Sequence, residues 1–118
     1  MNYECIVTGN FQHEAKRLVK KYASLKDELK VLEELLLKNP KTGTSIGRNA
    51  YKIRISVKSK GKGKRGGIRV ITYLEIDLII DPSKIFLLSI YDKTETEYIT
   101  KNELARLINA RSKEENNL

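Results

Sequence analysis

The sequence predicts a small α+β domain in which an N-terminal helical hairpin packs on a twisted antiparallel sheet of about four strands, followed by a short C-terminal helix. Apolar residues recur at helical spacing in the first third of the chain, and every second residue is apolar in residues 51–58. A chain of 118 residues with 40% hydrophobic residues has room for one core. We therefore expect a single domain over residues 1–111 and a flexible tail over residues 112–118.

The first half of the chain predicts one strand and two helices. Residues 3–7 are rich in β-branched and aromatic residues, which favours a strand, and Asn10 is a suitable N-cap for the helix that follows. Ser24 and Asp27 resemble a capping box at the start of a second, leucine-rich helix. The sequence NPKTG at residues 39–43 ends that helix, because the residue before a proline avoids helical geometry. The short connection between the two helices predicts a hairpin.

The second half changes from helical to strand periodicity. Residues 51–58 alternate between apolar and mostly cationic side chains, and residues 68–80 and 85–91 are further strand candidates. Pro82 suits a type I turn between the last two segments. Three consecutive strands predict an antiparallel meander. Thr100 is followed three residues later by a glutamate, which predicts a capped C-terminal helix.

The composition bears on the compartment and on cofactors. There is no run of 18 apolar residues and no N-terminal basic stretch followed by an apolar one, so we expect neither a membrane span nor a secretory signal. Cys5 is the only cysteine and His13 the only histidine, so we expect no internal disulfide and no metal site built from these residue types. The expected protein is cytoplasmic, with no cofactor, no metal and no membrane partner.

The positive charge is concentrated in one third of the chain. Residues 35–74 contain eleven basic residues and no acidic one, whereas the formal net charge of the whole chain is only +8. The rest of the chain therefore carries a small negative charge. A segregated positive surface indicates a polyanionic partner. The basic residues of this window are Lys38, Lys41, Arg48, Lys52, Arg54, Lys58, Lys60, Lys62, Lys64, Arg65 and Arg69.

Gly61, Gly63 and Gly66 match the spacing of nucleotide-binding glycine loops, but their context does not. A dinucleotide-binding loop follows a strand and opens a helix, whereas these glycines lie between two predicted strands. The lysine and hydroxyl residues of a Walker loop are missing, and the chain is too short for a kinase. The segment is better interpreted as a hairpin loop. Its cations are candidates for binding RNA or the ribosome, namely Lys60, Lys62, Lys64 and Arg65.

The cations and tyrosines of the predicted sheet fit metal-free cleavage of RNA. RNA supplies its own nucleophile, the 2′-hydroxyl, so the enzyme must stabilise charge at phosphorus, accept the 2′ proton and protonate the leaving 5′-oxygen. Arginine and lysine supply the charge stabilisation, and a tyrosine or a lysine with a lowered pKa could act as base. The candidates are Arg54 and Lys58 on one strand, Arg69 on the next, and Tyr91 with Lys93 after the last.

Two stretches carry a resemblance to a known family. They are YKIRISVKSKGKGKRGGIRVI at residues 51–71 and FLLSIYDKTETEYITKNEL at residues 86–104. Together with the order of the elements, they resemble the RelE/HigB branch of the RelE/HigB/ParE superfamily of bacterial toxins, from about Phe11 to Leu107. The resemblance implies the toxin of a type II toxin–antitoxin system, a ribosome-dependent endoribonuclease that cuts messenger RNA in the A site. It also implies a cognate antitoxin, expected to be a helix-turn-helix DNA-binding protein.

The resemblance assigns roles to individual residues. Lys52 and Arg54 match the basic pair on the family's second strand. Arg69 matches the arginine that opens the third strand and contacts the scissile phosphate. Lys93 stands where many relatives have an arginine that assists the leaving group.

Two assignments stay open at this point. The catalytic tyrosine corresponds either to Tyr91, which we favour, or to Tyr98, which is nearer the family's C-terminal tyrosine. The function has two alternatives: a gyrase-poisoning toxin of the ParE branch without nuclease activity, and a non-catalytic module that binds RNA or the ribosome. The dense cations argue against the first, and the lack of stacking aromatic residues on the cationic face argues against the second.

Overall fold

The computed structural model describes residues 1–61 and 67–116, with side chains as far as residue 111. It confirms the α+β class, the N-terminal helical hairpin and the C-terminal helix. None of the helices in these ranges is long and apolar enough to cross a membrane. The elements are β1 (Tyr3–Val7), α1 (Gly9–Lys21), α2 (Leu25–Lys38), β2 (Thr44–Gly47), β3 (Ala50–Ile55), β4 (Ile68–Glu75), β5 (Ser83–Asp92) and α3 (Lys101–Asn116).

The strands form one sheet in the order β1-β5-β4-β3-β2. β1 pairs with β5 in parallel, and the other three pairings are antiparallel, so the predicted meander is present as β3-β4-β5. Within residues 1–61 and 67–116 the sheet has five strands rather than the expected four or so. The additional strand is β2, a four-residue edge strand with the sequence TSIG, which carries no strand-like alternation that could have predicted it.

The sheet separates two apolar clusters, one on each face. On the hairpin face, α1 and α2 bury residues such as Leu18 and Leu36 against β3, β4 and β5. On the opposite face, which we call the α3 face, Leu104 and Ile108 of α3 pack against Phe86 of β5. Burying one such side chain contributes about 1.5–3 kcal/mol. α3 packs mainly on β5, and along β3 the α3 face runs from the buried Ala50 to the exposed Arg54.

A β-bulge interrupts the pairing of β4 with β5. Ile71 pairs with Ser89, but the next residue, Thr72, pairs with Leu87, so that Leu88 has no partner in the register. An extra residue in one strand inverts the alternation of its side chains beyond that point. The bulge therefore decides which face of the sheet each residue at the end of β5 occupies.

The clusters show the inversion directly. Leu87 and Ile90 both face the helical hairpin, whereas Leu88 and Tyr91 both face α3. Each pair is three residues apart, where a regular strand would put residues of one face two or four apart. Tyr91 consequently lies on the α3 face, and Asp92 points into the hairpin side.

Two of the expected helix caps differ in the structure. The N-cap of α1 is Thr8, not Asn10, because the Thr8 hydroxyl accepts a hydrogen bond from the Phe11 N–H at 3.2 Å and also donates to a β5 carbonyl at 2.8 Å. Ser24 precedes α2 as expected but makes no capping bond to the backbone. Its hydroxyl donates instead to Glu28, at 3.0 Å, so the predicted capping box with an aspartate is absent.

The prediction of a strand over residues 68–80 is wrong in its last five residues. β4 ends at Glu75, which pairs with Lys84. Because β5 begins at Ser83, just before Lys84, residues 76–80 have no strand to pair with. They form a loop in which Ile79 is 93% exposed. The type I turn expected at Pro82 is also absent, since Ser83 and Lys84 already belong to β5 and residues 76–82 form this longer loop. The Asp81–Pro82 peptide bond is cis.

A buried ion pair joins the end of β5 to the segment that follows β3, and a hydrogen bond from Tyr22 connects the same carboxylate to the end of α1. The Asp92 carboxylate is fully buried and accepts hydrogen bonds from the Tyr22 hydroxyl at 2.6 Å and the Lys60 ammonium at 3.0 Å. Thr94 adds two more, from its N–H at 2.9 Å and its hydroxyl at 2.7 Å. Burial alone would raise the pKa of Asp92, but these donors outweigh it and hold the pKa well below its usual range.

We expect Asp92→Asn to destabilise the protein by about 3–5 kcal/mol, because it leaves the buried Lys60 ammonium without a counter-charge. Lys60→Met should cost a similar amount, and the double variant less than the sum of the two. Urea unfolding of the four proteins measures this cycle. Additive losses would contradict a direct interaction between the two side chains.

The same pair predicts a dependence of stability on pH. Since the folded pKa of Asp92 lies below its unfolded value of about 3.9, its contribution is complete above about pH 5 and is lost progressively as the pH falls toward the folded pKa. The free energy of unfolding should therefore fall less steeply between pH 5 and pH 3 in Asp92→Asn than in the unmodified protein.

Candidate active site

Three of the predicted site residues form one row across three strands. Arg54 of β3 pairs with Arg69 of β4, and Arg69 pairs with Tyr91 of β5. Neighbouring strands are about 4.8 Å apart, so the row spans about 10 Å. The residues on both sides of Arg69, Ile68 and Val70, pack in the hairpin-face cluster, so the row lies on the α3 face.

Arg69 occupies the centre of the row and is only 4% exposed. Burial, followed by the charge of Arg54, lowers the pKa of its guanidinium, and the nearby Tyr91 partly opposes this effect. Arginine nevertheless stays charged in proteins. Two arginines opposite each other on neighbouring strands repel. An anion bound between them would remove this repulsion, so the row is suited to a phosphate.

Lys52 lies two residues before Arg54 and therefore on the same face of β3. Desolvation lowers the pKa of its ammonium, and the charges of Arg54, Arg69 and Lys93 lower it further. The amine of Lys52 is thus more readily neutral than that of an ordinary lysine, which is what a general base requires. Because the charge of Lys93 acts on Lys52, Lys93, which lies just after β5, belongs to the same group of cations.

Tyr91 has different properties from Lys52. Its side chain is 7% exposed, and its hydroxyl is buried without a hydrogen-bond partner. Desolvation raises the pKa of the phenol, and the charges of Arg69 and Arg54 only partly counter this. The phenol therefore stays neutral and can donate a hydrogen bond, but it is a poorer base than Lys52.

A cavity of about 90 Å³ adjoins the row on the α3 face. The N-cap predicted at Thr100 is confirmed, since the Glu103 N–H donates to the Thr100 hydroxyl at 3.1 Å. The Glu103 carboxylate accepts from that hydroxyl at 3.0 Å and not from the Thr100 backbone, so the capping box is only half formed. Tyr98, the alternative catalytic tyrosine, is 63% exposed at the rim of the cavity. The lining residues are Ile46, Lys52, Tyr91, Tyr98, Ile99, Thr100, Lys101 and Leu104.

Two other predicted cations, Lys58 and Lys60, lie away from this group. Lys58 follows the end of β3, and its backbone N–H donates to Glu28 of α2 at 2.8 Å, on the side of the helical hairpin. The Lys60 ammonium forms the buried ion pair with Asp92, so it serves the fold and is not exposed to a ligand. Three expected cations of the loop lie outside the described residues: Lys62, Lys64 and Arg65.

Sequence reasoning did not identify three contributors to this region. Asp92 lies within the quoted stretch IYDK, but only the bulge shows that it points to the hairpin face and holds Lys60. Ile46 belongs to the unpredicted strand β2, and Thr100 was identified only as a helix cap. Their part in the cavity depends on where β2 and α3 meet, for which a single sequence carries no signal.

Groups for metal or thiol chemistry are not found in the part of the chain that the structure describes. It contains no group of three histidine, cysteine, aspartate or glutamate side chains that could hold a metal ion. Desolvation and the charge of Glu33 raise the pKa of the Cys5 thiol to about 11, which leaves it unreactive at neutral pH. No model of a known protein family matches the chain.

The cluster predicts an unusual titration of Lys52. In the protein with 13C-labelled lysine, the Lys52 side-chain signals should titrate at a lower pH than those of the exposed lysines, as its lowered pKa requires. Arg54→Gln should move that midpoint upward, because it removes the neighbouring charge that lowers the pKa of Lys52 most.

Arg48→Gln is the matched control, since it removes one positive charge from the turn between β2 and β3 without touching the cluster. It should leave the Lys52 midpoint unchanged. An equal shift in both variants would mean that general electrostatics, and not contact within the cluster, sets the pKa of Lys52.

Proposed function

We propose that this protein is a ribosome-dependent, metal-independent endoribonuclease that cleaves messenger RNA and is neutralised by a cognate antitoxin, as a RelE/HigB-type toxin. The observation that carries the proposal is the row of Arg54, Arg69 and Tyr91, with Lys52 and Lys93 beside it. The resemblance of the sequence to the RelE/HigB branch supports the requirement for the ribosome and the partner antitoxin.

The cations divide into a phosphate clamp and a pair that transfers protons. Arg69 and Arg54 bind the non-bridging oxygens of the scissile phosphate and stabilise the negative charge that develops there. The neutral amine of Lys52 accepts the proton of the 2′-hydroxyl. The ammonium of Lys93 donates a proton to the departing 5′-oxygen.

The reaction balances without water or a metal. The 2′-oxygen forms a bond to phosphorus while the bond from phosphorus to the 5′-oxygen breaks. The proton lost by the 2′-hydroxyl goes to Lys52, and the leaving oxygen takes one from Lys93. The products are a 2′,3′-cyclic phosphate and a 5′-hydroxyl, and solvent restores the two lysines.

This scheme changes the role expected for the tyrosine. A phenol whose pKa is raised by burial holds its proton at neutral pH, so Tyr91 does not act as the base. Lys52 takes that role. Desolvation disfavours the charged form of each group, so it lowers the pKa of the Lys52 amine but raises the pKa of the Tyr91 phenol. Tyr91 contributes a neutral hydrogen-bonding group beside the scissile phosphate.

We expect Arg69→Ala to slow cleavage of translated messages by about 10²- to 10³-fold, because it removes charge stabilisation at phosphorus. Primer extension on a message translated in vitro measures the cuts, which should fall at codon-defined positions. Since Arg69 is buried, Arg54→Ala provides a second variant at an exposed position and should lower the rate in the same direction.

Arg48→Ala is the control for loss of one positive charge outside the row and should cleave normally. Intact messages combined with relaxed plasmid DNA would favour gyrase poisoning. Binding to ribosomes without cleavage of the message would favour the non-catalytic module.

The assignment of Lys52 as base is tested by Lys52→Arg, which keeps the positive charge but cannot release a proton at working pH. The rate should fall by about 10²- to 10⁴-fold while affinity for the ribosome is kept. In the unmodified protein the rate should rise with pH up to the lowered pKa of Lys52. Full activity of Lys52→Arg would exclude the lysine as base.

A further inference from the structure

The last residues of β5 extend beyond the strand that pairs with it on one side. β1 ends at Val7, opposite Leu87, whereas β5 continues to Asp92. The chain leaves β1 at Thr8 and enters α1, so beyond that point the element beside β5 is α1. Backbone N–H and C=O groups at a buried strand edge need hydrogen-bond partners. At this end of β5 the partners come from side chains of α1.

Two side chains of α1 supply these partners at the bulge and just after it. The Asn10 amide donates to the carbonyl of Leu88, the bulged residue, at 2.9 Å. The Glu14 carboxylate accepts from the Ile90 N–H at 3.2 Å and from the Ser89 hydroxyl at 2.8 Å. The Asn10 amide also donates to the same carboxylate oxygen at 2.9 Å. Asn10 and Glu14, which we call the α1 pair, therefore form one connected group against β5.

These hydrogen bonds fit the bulged register and not a regular one. Successive residues of a strand direct their backbone N–H groups to opposite edges and their side chains to opposite faces. A shift of one residue would turn the Ile90 N–H toward β4 and would move the Ser89 side chain to the other face of the sheet. Glu14 would then lose both of its bonds to β5. The α1 pair thus favours the register in which Tyr91 lies on the α3 face.

We propose that Asn10 and Glu14 are positioning residues: they hold the bulge of β5 and so keep Tyr91 in the row of the candidate active site. Both act through the backbone of β5 and not on the substrate. Asn10 is available for this role because Thr8, and not Asn10, caps α1. Their effect on cleavage rests on the proposed ribonuclease function, whereas their effect on the strand does not.

The burial of Tyr91 explains why its position needs such support. Within the described residues its hydroxyl is buried and has no hydrogen-bond partner, which disfavours its place on the α3 face. Inversion of the strand would relieve that cost but would break the bonds that Glu14 makes to β5. Hydrogen bonds to a charged group are stronger than those between neutral groups. The carboxylate of Glu14 therefore opposes the inversion.

NMR of the full chain tests the hold on the strand without any substrate. The Tyr91 ring should show an NOE to the Leu104 methyl groups, because both side chains belong to the cluster on the α3 face. Glu14→Ala should weaken this NOE. The Ile90 amide should also exchange about 3- to 10-fold faster relative to the Leu32 amide of α2, as expected for loss of one hydrogen bond. Equal acceleration of both amides with an unchanged NOE would mean that Glu14 only stabilises the whole fold, which would overturn the proposal.

Two further variants separate the hydrogen bonds of Glu14 from its charge. Glu14→Gln keeps an oxygen that can accept the bonds from Ile90 and Ser89, so it should retain the NOE and the slow exchange. Glu34→Ala is the matched control, since it removes the same side chain from an exposed position of α2, and it should change neither signal. A loss of the NOE in Glu14→Gln as large as in Glu14→Ala would reject the role of the hydrogen bonds.

Cleavage of messages on programmed ribosomes tests the effect on the site. Glu14→Ala should lower kcat by about 10²-fold, because Tyr91 and the following proton donor Lys93 would be displaced by a small distance. KM for the ribosome should stay unchanged, since the cations of β3 and β4 are intact. Glu14→Gln should restore kcat, and Glu34→Ala should not alter it.

The two experiments together distinguish failure of the positioning role from failure of the proposed function. An unchanged kcat in Glu14→Ala, with the NOE weakened and messages cut by the unmodified protein, would overturn the positioning role. If the unmodified protein cuts no message while the NOE and the amide exchange respond as expected, the nuclease is rejected and the hold of the α1 pair on β5 is retained.

Discussion

The bulge between β4 and β5 is the constraint on which the candidate site depends. By leaving Leu88 unpaired, it inverts the alternation of the last residues of β5. Without the extra residue, Tyr91 would point into the helical hairpin and Asp92 into the cations of the α3 face. One inserted residue thus assigns the tyrosine to the site and the carboxylate to the core.

The carboxylate on the other face has its own consequence. Asp92 is neutralised by Lys60 and by the Tyr22 hydroxyl, which ties the chain just after β3 to the end of β5 and to α1. If Asp92 lay on the α3 face, it would pair with the arginines and cancel the charge that a phosphate needs. Keeping the only acidic residue of β5 on the hairpin face leaves the row of Arg54 and Arg69 positive.

The cluster of cations is unfavourable for stability in the absence of a ligand. Lys52 has a lowered pKa because it is desolvated beside other positive charges, and the Tyr91 hydroxyl is buried without a partner. Neither feature stabilises the folded protein. Local arrangements that weaken a fold are typical of functional sites.

Periodicity in the sequence determined the α+β class, the two N-terminal helices and the β3-β4-β5 meander, because side chains that alternate or recur on one face must be buried together. Residue type and charge, together with the family resemblance, indicated Arg54, Arg69 and Tyr91 as site candidates. Periodicity could not place β2, whose four residues carry no pattern. It could not end β4 at Glu75 either, since residues 76–80 are apolar apart from Asp77 and only the start of β5 leaves them unpaired.

Which side chains meet was decided by the tertiary structure alone. Lys52 and Lys60 both belong to the cationic window of residues 35–74, yet the fold buries Lys60 against Asp92 and leaves Lys52 beside two arginines. The difference arises from strand register and from one bulge, which depend on the pairing of distant segments. Sequence therefore defined the chemical groups available, and the register of the sheet chose which of them share a face, because a shift of one residue moves every side chain beyond it to the other side.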